Sequence, residues 1–181
     1  MVRLCCPVCA GVLERRAGAY VCPKGQSFDL AKSGYVNLLL NSAQGRHGDD
    51  KLMVRARRDF LNKGYYDRFI AAAADAAAEA APQNAMILDA GCGEGIYSLA
   101  ALRAIEKAGK RGRLLGIDIS KTALQYAARR SPDFTLCVAS CAHLPVETAS
   151  VDVLLNIFSP FVNLGSELLN FFKFLHPRNI S

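Results

Sequence analysis

One segment restricts the fold of this chain more than any other: Leu88-Asp89-Ala90-Gly91-Cys92-Gly93-Glu94-Gly95, set between an apolar run and a helical pattern. Glycines alternating with larger residues let a backbone turn tightly after a strand and approach a bound molecule where any Cβ would collide. The dinucleotide fingerprint needs another glycine at position 96, and Ile96 stands there. Asp118 closes the next apolar run 23 residues after Gly95, where a carboxylate can accept hydrogen bonds from both hydroxyls of a ribose. A strand-to-helix turn built around a ribose-bearing ligand is therefore the first expectation.

Around that turn the elements alternate. A helix from Leu52 carries Met53, Ala56 and Phe60 on one stripe and stops at Gly64. An alanine-rich helix over 67–81 ends before Pro82. A strand over 86–89 leads through the glycine turn to a helix over 96–107 with a stop at Gly109. A strand over 114–117 leads to Asp118, to Ser120 as N-cap and to a helix ending at Arg130, followed by strands over 134–138 and 151–157. This β-α-β-α-β order predicts an α/β fold, a parallel sheet with helices on its faces. The chain divides into a Cys-rich module (1–36), an exposed linker (37–51), a ligand-binding domain (52–160) and a tail (161–181).

With 51% apolar and 21% charged residues, a packed core is expected rather than disorder. A net charge of +6 suggests an acidic partner such as nucleic acid. The N-terminus lacks an apolar signal segment and no run of about 18 apolar residues could span a bilayer, which predicts a cytosolic, membrane-free protein. Seven cysteines, an odd number, are better thiols or metal ligands than disulfides in that compartment. Cys6-Pro7-Val8-Cys9 with Cys22 offers three thiolates to a tetrahedral zinc ion. Position 26, where a Cys-x3-His pair would put histidine, is Gln26, a poor zinc ligand. The fourth ligand is open between Cys5, Gln26, His47 and water. The metal-free alternative, a module packed on Tyr20, Phe28 and Tyr35, would have a marginal core.

The Gly-x-Gly-x-Gly form, with an acidic residue two positions before it, resembles the loop of S-adenosylmethionine (SAM) methyltransferases. Ile119 and the segment Ala139-Ser140-Cys141 are expected to wall the adenine, with Cys141 as lining rather than nucleophile. A more specific resemblance runs through Cys6-Pro7-Val8-Cys9, Cys22-Pro23, the stretch from Ser27 to Leu39 (Phe28-Asp29-Leu30-Ala31-Lys32-Ser33-Gly34-Tyr35-Val36-Asn37-Leu38-Leu39), Arg57-Arg58-Asp59-Phe60-Leu61 and Gly64-Tyr65-Tyr66. In these residues the chain is similar to the 23S ribosomal RNA guanine-(N1)-methyltransferases, which act on a hairpin loop. The resemblance implies a class I SAM methyltransferase, Rossmann-like parallel sheet behind a zinc-ribbon-like module that grips RNA. It implies SAM contacts from Tyr66, Asp89, Gly91, Gly93, Glu94, Gly95, Asp118 and Ser140, and one zinc ion on Cys6, Cys9 and Cys22.

Lys32, Arg55, Arg57 and Arg58 are the expected phosphate contacts, since a grip on an RNA hairpin needs clustered cations. Methyl transfer to a guanine ring nitrogen needs an unstacked base and accurate positioning. Asn156 could orient the base edge and Phe158 could stack on it; no general base is evident, and the catalytic group is unknown. The resemblance fades after Pro160, where the family continues through about three more strands. The tail is expected to form one amphipathic helix on Leu164, Leu168, Phe171, Phe172 and Leu175, leaving an incomplete sheet whose fourth strand is a poorly covered edge. A C-terminally truncated enzyme is the expectation, with an inactive SAM- and RNA-binding fragment or a small-molecule methyltransferase as alternatives. Pairing as a homodimer is left open.

Overall fold

The structure, a computed structural model, describes residues 3–40, 51–159 and 174–175. It opens with β1 (Glu14–Arg16), β2 (Ala19–Val21) and β3 (Ser27–Asp29), which pair antiparallel in that order as a small sheet. Then come β4 (Tyr35–Asn37), α1 (Lys51–Leu61), α2 (Asp67–Ala80), β5 (Asn84–Ala90), α3 (Ile96–Lys107), β6 (Arg111–Asp118), α4 (Lys121–Arg130), β7 (Thr135–Val138), β8 (Val153–Leu155) and β9 (Phe174–Leu175). The second sheet has six parallel strands in the order β4-β7-β6-β5-β8-β9. The expected boundaries follow local chemistry. Ser120 Oγ accepts the Ala123 N–H as the cap of α4, and Gly109 ends α3 in the left-handed region at φ +76.

Strand order decides which face each connection covers. From β5 to β6 to β7 the chain steps one way, so right-handed crossovers put α3 and α4 on the same face. Ile87, Leu114, Leu136, Val138, Val153 and Leu155 form the core there with Ala77, Ile105 and Leu124 of the helices. β8 lies on the other side of β5, so residues 139–152 must cross the opposite face, and they contain no helix. That face presents Leu88, Leu115, Ile117, Cys137 and Leu154, and it is covered by Leu4, Cys6, Leu13, Tyr20 and Cys22 of the N-terminal module. Backbone bonds fix the contact: Cys5 N–H donates to Pro145 O at 2.8 Å, Glu147 N–H donates to Arg3 O at 3.1 Å, and Leu4 bridges Val146.

Three expectations change. Among the described residues, helices do not share both faces, because the crossing that would carry one on the second face is an irregular segment and the cysteine module takes its place. The boundary drawn after residue 36 falls inside β4, whose Tyr35, Val36 and Asn37 pair with Leu136, Cys137 and Val138 of β7. Residues 174–175 are strand rather than helix, pairing with Leu154 and Leu155, so the edge of β8 is covered at those positions. Leu164, Leu168, Phe171 and Phe172, His47 and most of the expected linker lie outside the described residues. No helix among the described residues is long and apolar enough to cross a membrane.

Leu4 has no exposed surface at this junction. Leu4→Ala is expected to cost about 2–5 kcal/mol of global stability. In urea, far-ultraviolet circular dichroism, which reports the helices, and labelling of Cys5, Cys6, Cys9 and Cys22 read by peptide mass spectrometry, which reports the module, should give one coincident midpoint in the unmodified protein. Two separated midpoints would mean that module and sheet fold independently.

Candidate cofactor cleft and metal centre

The sheet reverses its order between β5 and β8, and a crevice opens beyond the carboxyl ends of those two strands. The turn after β5 enters it with Gly91, Gly93 and Gly95 at φ +84, +55 and +78. At Gly91 a Cβ would overlap Ser159, whereas at Gly93 it would meet nothing within 4 Å, so the backbone there is open to a ligand. Gly91 and Cys92 N–H donate to Ile117 O at 2.8 and 3.0 Å. Asp118 accepts the Gly93 N–H at Oδ2 and the Ser120 N–H at Oδ1, each at 2.8 Å, which locks the carboxylate at the rim of the turn.

The other two acids of the motif are fasteners. Asp89 is only 2% exposed and accepts a bond from Ser98 Oγ at 2.5 Å, tying the end of β5 to the first turn of α3. Burial pushes its carboxyl up to about 7; the Ser98 bond opposes this and the charge of Asp118 adds to it. Glu94 is equally enclosed and pairs with Arg130 at 2.9 Å, while Arg130 Nε donates to Glu94 O at 2.7 Å. Burial raises the Glu94 carboxyl against the pull of Arg130. Together these contacts hold the turn to α4.

A cavity of about 300 Å³ lies against the turn, walled by Gly91 to Glu94, Ile96, Tyr97, Arg57, Phe60, Leu61, Tyr66, Ile157 and Phe158. Its aromatic wall is continuous: the Phe158 ring centroid lies 5.7 Å from Tyr66, 5.6 Å from Phe69 and 6.4 Å from Tyr97. Burial pushes the Tyr97 hydroxyl up to about 12. Phe158 is 60% exposed and sits at φ +55, a strained setting for a bulky residue that the surrounding rings hold in place. Asn156, expected beside it as a substrate-facing group, is instead fully buried. Its Nδ2 donates to Ala90 O at 3.3 Å and Ser159 Oγ at 2.6 Å, so it joins the end of β8 to that of β5.

Across the sheet end, Ser140 lines a larger cavity of about 860 Å³ with Leu38, His143 and Pro145, closed on its far side by Cys5 and Pro7 of the module. Burial pushes the Cys141 thiol up to about 11, which suits inert lining. The cationic candidates do not form one cluster. Arg57 reaches the cavity wall, Arg58 lies 4.7 Å over the Tyr126 ring, and Arg55 is exposed beside Asp59 at 3.9 Å. Lys32 lies apart, beside Gln125, Ala128 and Arg129 of α4.

In the module, the sulfur atoms of Cys6, Cys9 and Cys22 lie within 4.8 Å of one another, and Cys9 and Cys22 are 3.8 Å apart. A tetrahedral zinc–thiolate centre with Zn–S of about 2.3 Å has S···S edges of about 3.8 Å, so the thiols fit the ion. Two tight turns deliver them: Ala10 N–H donates to Cys6 O at 2.8 Å and Gly25 N–H donates to Cys22 O at 2.9 Å. Cys5 is not in the cluster. Ser98, Arg130 and Tyr97 went unnoticed in the sequence, where nothing but position in the first turn of α3 or the last of α4 marks them.

The domain has the fold of the class I SAM-dependent methyltransferases. Residues 87–176 match the family model described as Methyltransferase domain. A Methanococcus maripaludis crystal structure, assigned as a SAM-dependent methyltransferase, shares the fold with a TM-score of 0.53 at 15% identity, over 65% of this chain and 54% of that one. Residues 4–42 match the zinc-ribbon model described as RlmA, N-terminal. The chain is 39% identical to a Micromonospora griseorubida protein assigned as a 23S rRNA (guanine-N(1)-)-methyltransferase, over 86% of this chain and 57% of that protein. It is 35% identical to the 23S rRNA (guanine(748)-N(1))-methyltransferase of Streptomyces fradiae, over 86% of this chain and 55% of that protein. Over most of its length the chain is thus similar to 23S rRNA guanine-(N1)-methyltransferases, and it spans a little over half the length of these relatives.

The buried Asp89 makes stability depend on pH. Its carboxyl titrates near 7 in the folded protein against an ordinary 3.8, so between those values the native state holds a proton that the unfolded chain has lost. This group therefore lowers stability as pH rises from about 4 to about 7. Asp89→Asn removes the penalty, and its stability relative to the unsubstituted protein should improve by on the order of 4 kcal/mol between pH 4 and pH 8. Urea unfolding of both proteins at the two pH values checks this; parallel profiles would show that Asp89 is not a buried acid of this kind.

Proposed function

We propose that the protein transfers a methyl group from SAM to a guanine ring nitrogen in a hairpin of 23S ribosomal RNA, in the cytoplasm where that RNA resides. The observation that carries this reading is the glycine turn and its locked carboxylate beside an aromatic cavity, in a domain joined to a cysteine ribbon. SAM supplies the methyl group on a sulfonium. Asp118, already oriented by two N–H groups, accepts the ribose hydroxyls, and the open backbone at Gly93 admits the cofactor. Ile119 and Ser140, which follow the carboxyl ends of β6 and β7, would wall the adenine beside Asp118. Tyr66 and Phe158 face the cavity with π surfaces that suit both a sulfonium cation and a flat purine.

Asp89, Glu94 and Asn156 act through the backbone they fasten, keeping the acceptor base and the methyl in line. An extruded guanine would enter past Phe158. Arg57 at the cavity wall, Arg55 and Arg58 elsewhere on α1, and Lys32 on the flank of α4 would contact phosphates on separate parts of the hairpin. Cys6, Cys9 and Cys22 would hold one zinc ion.

Labelled SAM and an unmodified hairpin transcript test the reading. Label is expected on guanine, and Asp118→Ala should weaken SAM binding about 100-fold, the worth of two charged hydrogen bonds at about 1.5 kcal/mol each. SAM binding without labelled RNA would leave a cofactor-binding protein that does not methylate this substrate. Label on small acceptors but not on the hairpin would overturn the assignment of substrate.

A further inference from the structure

We propose that the side-chain oxygen of Gln26 is the fourth donor of the metal centre, completing a site of three thiolates and one carboxamide oxygen that releases its ion readily. The proposal rests on the reading of Cys6, Cys9 and Cys22 as a zinc site and adds the ligand that the cysteines leave open. Gln26 Oε1 lies 3.8 Å from Cys6 Sγ and 3.7 Å from Cys9 Sγ, and it contacts Cys22 Sγ more closely. With Zn–S near 2.3 Å and Zn–O near 2.1 Å, the S···O edge of a zinc tetrahedron is about 3.6 Å. The oxygen therefore matches that edge towards Cys6 and Cys9 and lies inside it towards Cys22, so an ion would move the carboxamide outward from Cys22, and the Cys9–Cys22 edge of 3.8 Å already has the length a zinc tetrahedron needs.

The backbone explains why this side chain arrives there. Cys22-Pro23-Lys24-Gly25-Gln26 forms a tight turn one residue shorter than that of Cys6-Pro7-Val8-Cys9-Ala10-Gly11; each opens with Cys-Pro, and each passes through the left-handed region, at Gly25 (φ +85) and Ala10 (φ +56). Cys22 N–H donates to Gln26 O at 2.9 Å, which closes the second turn and directs residue 26 back towards the sulfurs. Cys5 lies outside the cluster formed by the thiols of Cys6, Cys9 and Cys22.

A carboxamide oxygen is neutral, as imidazole is, so the charge of the centre is the same as with histidine. It is a harder and weaker donor to zinc than imidazole nitrogen. The fold of the ribbon can thus be kept while the ion is held less tightly.

The test uses the full chain, with zinc affinity measured against a chromophoric chelator and Co2+ as the spectroscopic probe. One Co2+ per chain should give thiolate charge-transfer bands and ligand-field bands of a tetrahedral three-sulfur, one-oxygen centre. Gln26→His should bind zinc at least ~10-fold more tightly and shift the ligand-field bands towards a three-sulfur, one-nitrogen pattern. Gln26→Ala should bind at least ~10-fold more weakly with the thiolate bands kept, and Cys5→Ser should match the unsubstituted chain. If Gln26→Ala leaves affinity and bands unchanged, or Cys5→Ser removes a thiolate band, the fourth donor is not Gln26 although the zinc site stands. If no variant takes up a stoichiometric ion, the reading of the cysteines as a zinc site falls as well.

Discussion

A parallel sheet must bury both of its faces, and here two unlike structures do so. Alternation along each strand sends Ile87, Leu114, Leu136 and Val153 to one side and Leu88, Leu115, Cys137 and Leu154 to the other, all with almost no exposed surface. Among the described residues, the helices cover the first side. The second is closed by a ribbon too small to have much core of its own, whose buried residues Leu4, Leu13 and Tyr20 pack into that of the sheet. Each part supplies the apolar surface that the other lacks, and the placement of the cleft follows from that union.

Within the cleft, the work divides between groups that shape the turn and groups that face the open space. The buried polar side chains Asp89, Glu94 and Asn156 each join two elements at the carboxyl end of the sheet: β5 to α3, the turn to α4, and β8 to β5. Inside a low-dielectric interior these links hold the turn in one arrangement. That leaves Asp118, Gly93 and the ring of aromatic side chains as the surfaces offered to a ligand.

Much of this was legible in the sequence because it is local. The glycine turn, the N-cap at Ser120 and the start and end of α3 follow from backbone chemistry within a few residues. What could not be read depends on strand order. Nothing local tells that residues 35–37 desert the small sheet for the large one, or that Pro145 to Glu147 will bond to Arg3 and Cys5. Asn156 shows the same limit. Its place after β8 was readable, but its burial against Ala90 depends on β8 lying beside β5. The stretch Phe28 to Leu39, which carried the strongest resemblance, is the join itself: the Leu30–Val36 bridge, Gly34 at φ +93, and Leu38 N–H donating to Val138 O.

The covering of the second face by the ribbon also sets a timetable. During synthesis the ribbon emerges first, whereas the apolar residues of β8 that share its core appear more than a hundred residues later. At roughly 5–20 residues per second, that separation is on the order of 10 s. Through that interval the nascent ribbon has thiols and apolar side chains but no complete sheet to lean on, and it can reach its final packing only once β8 has emerged.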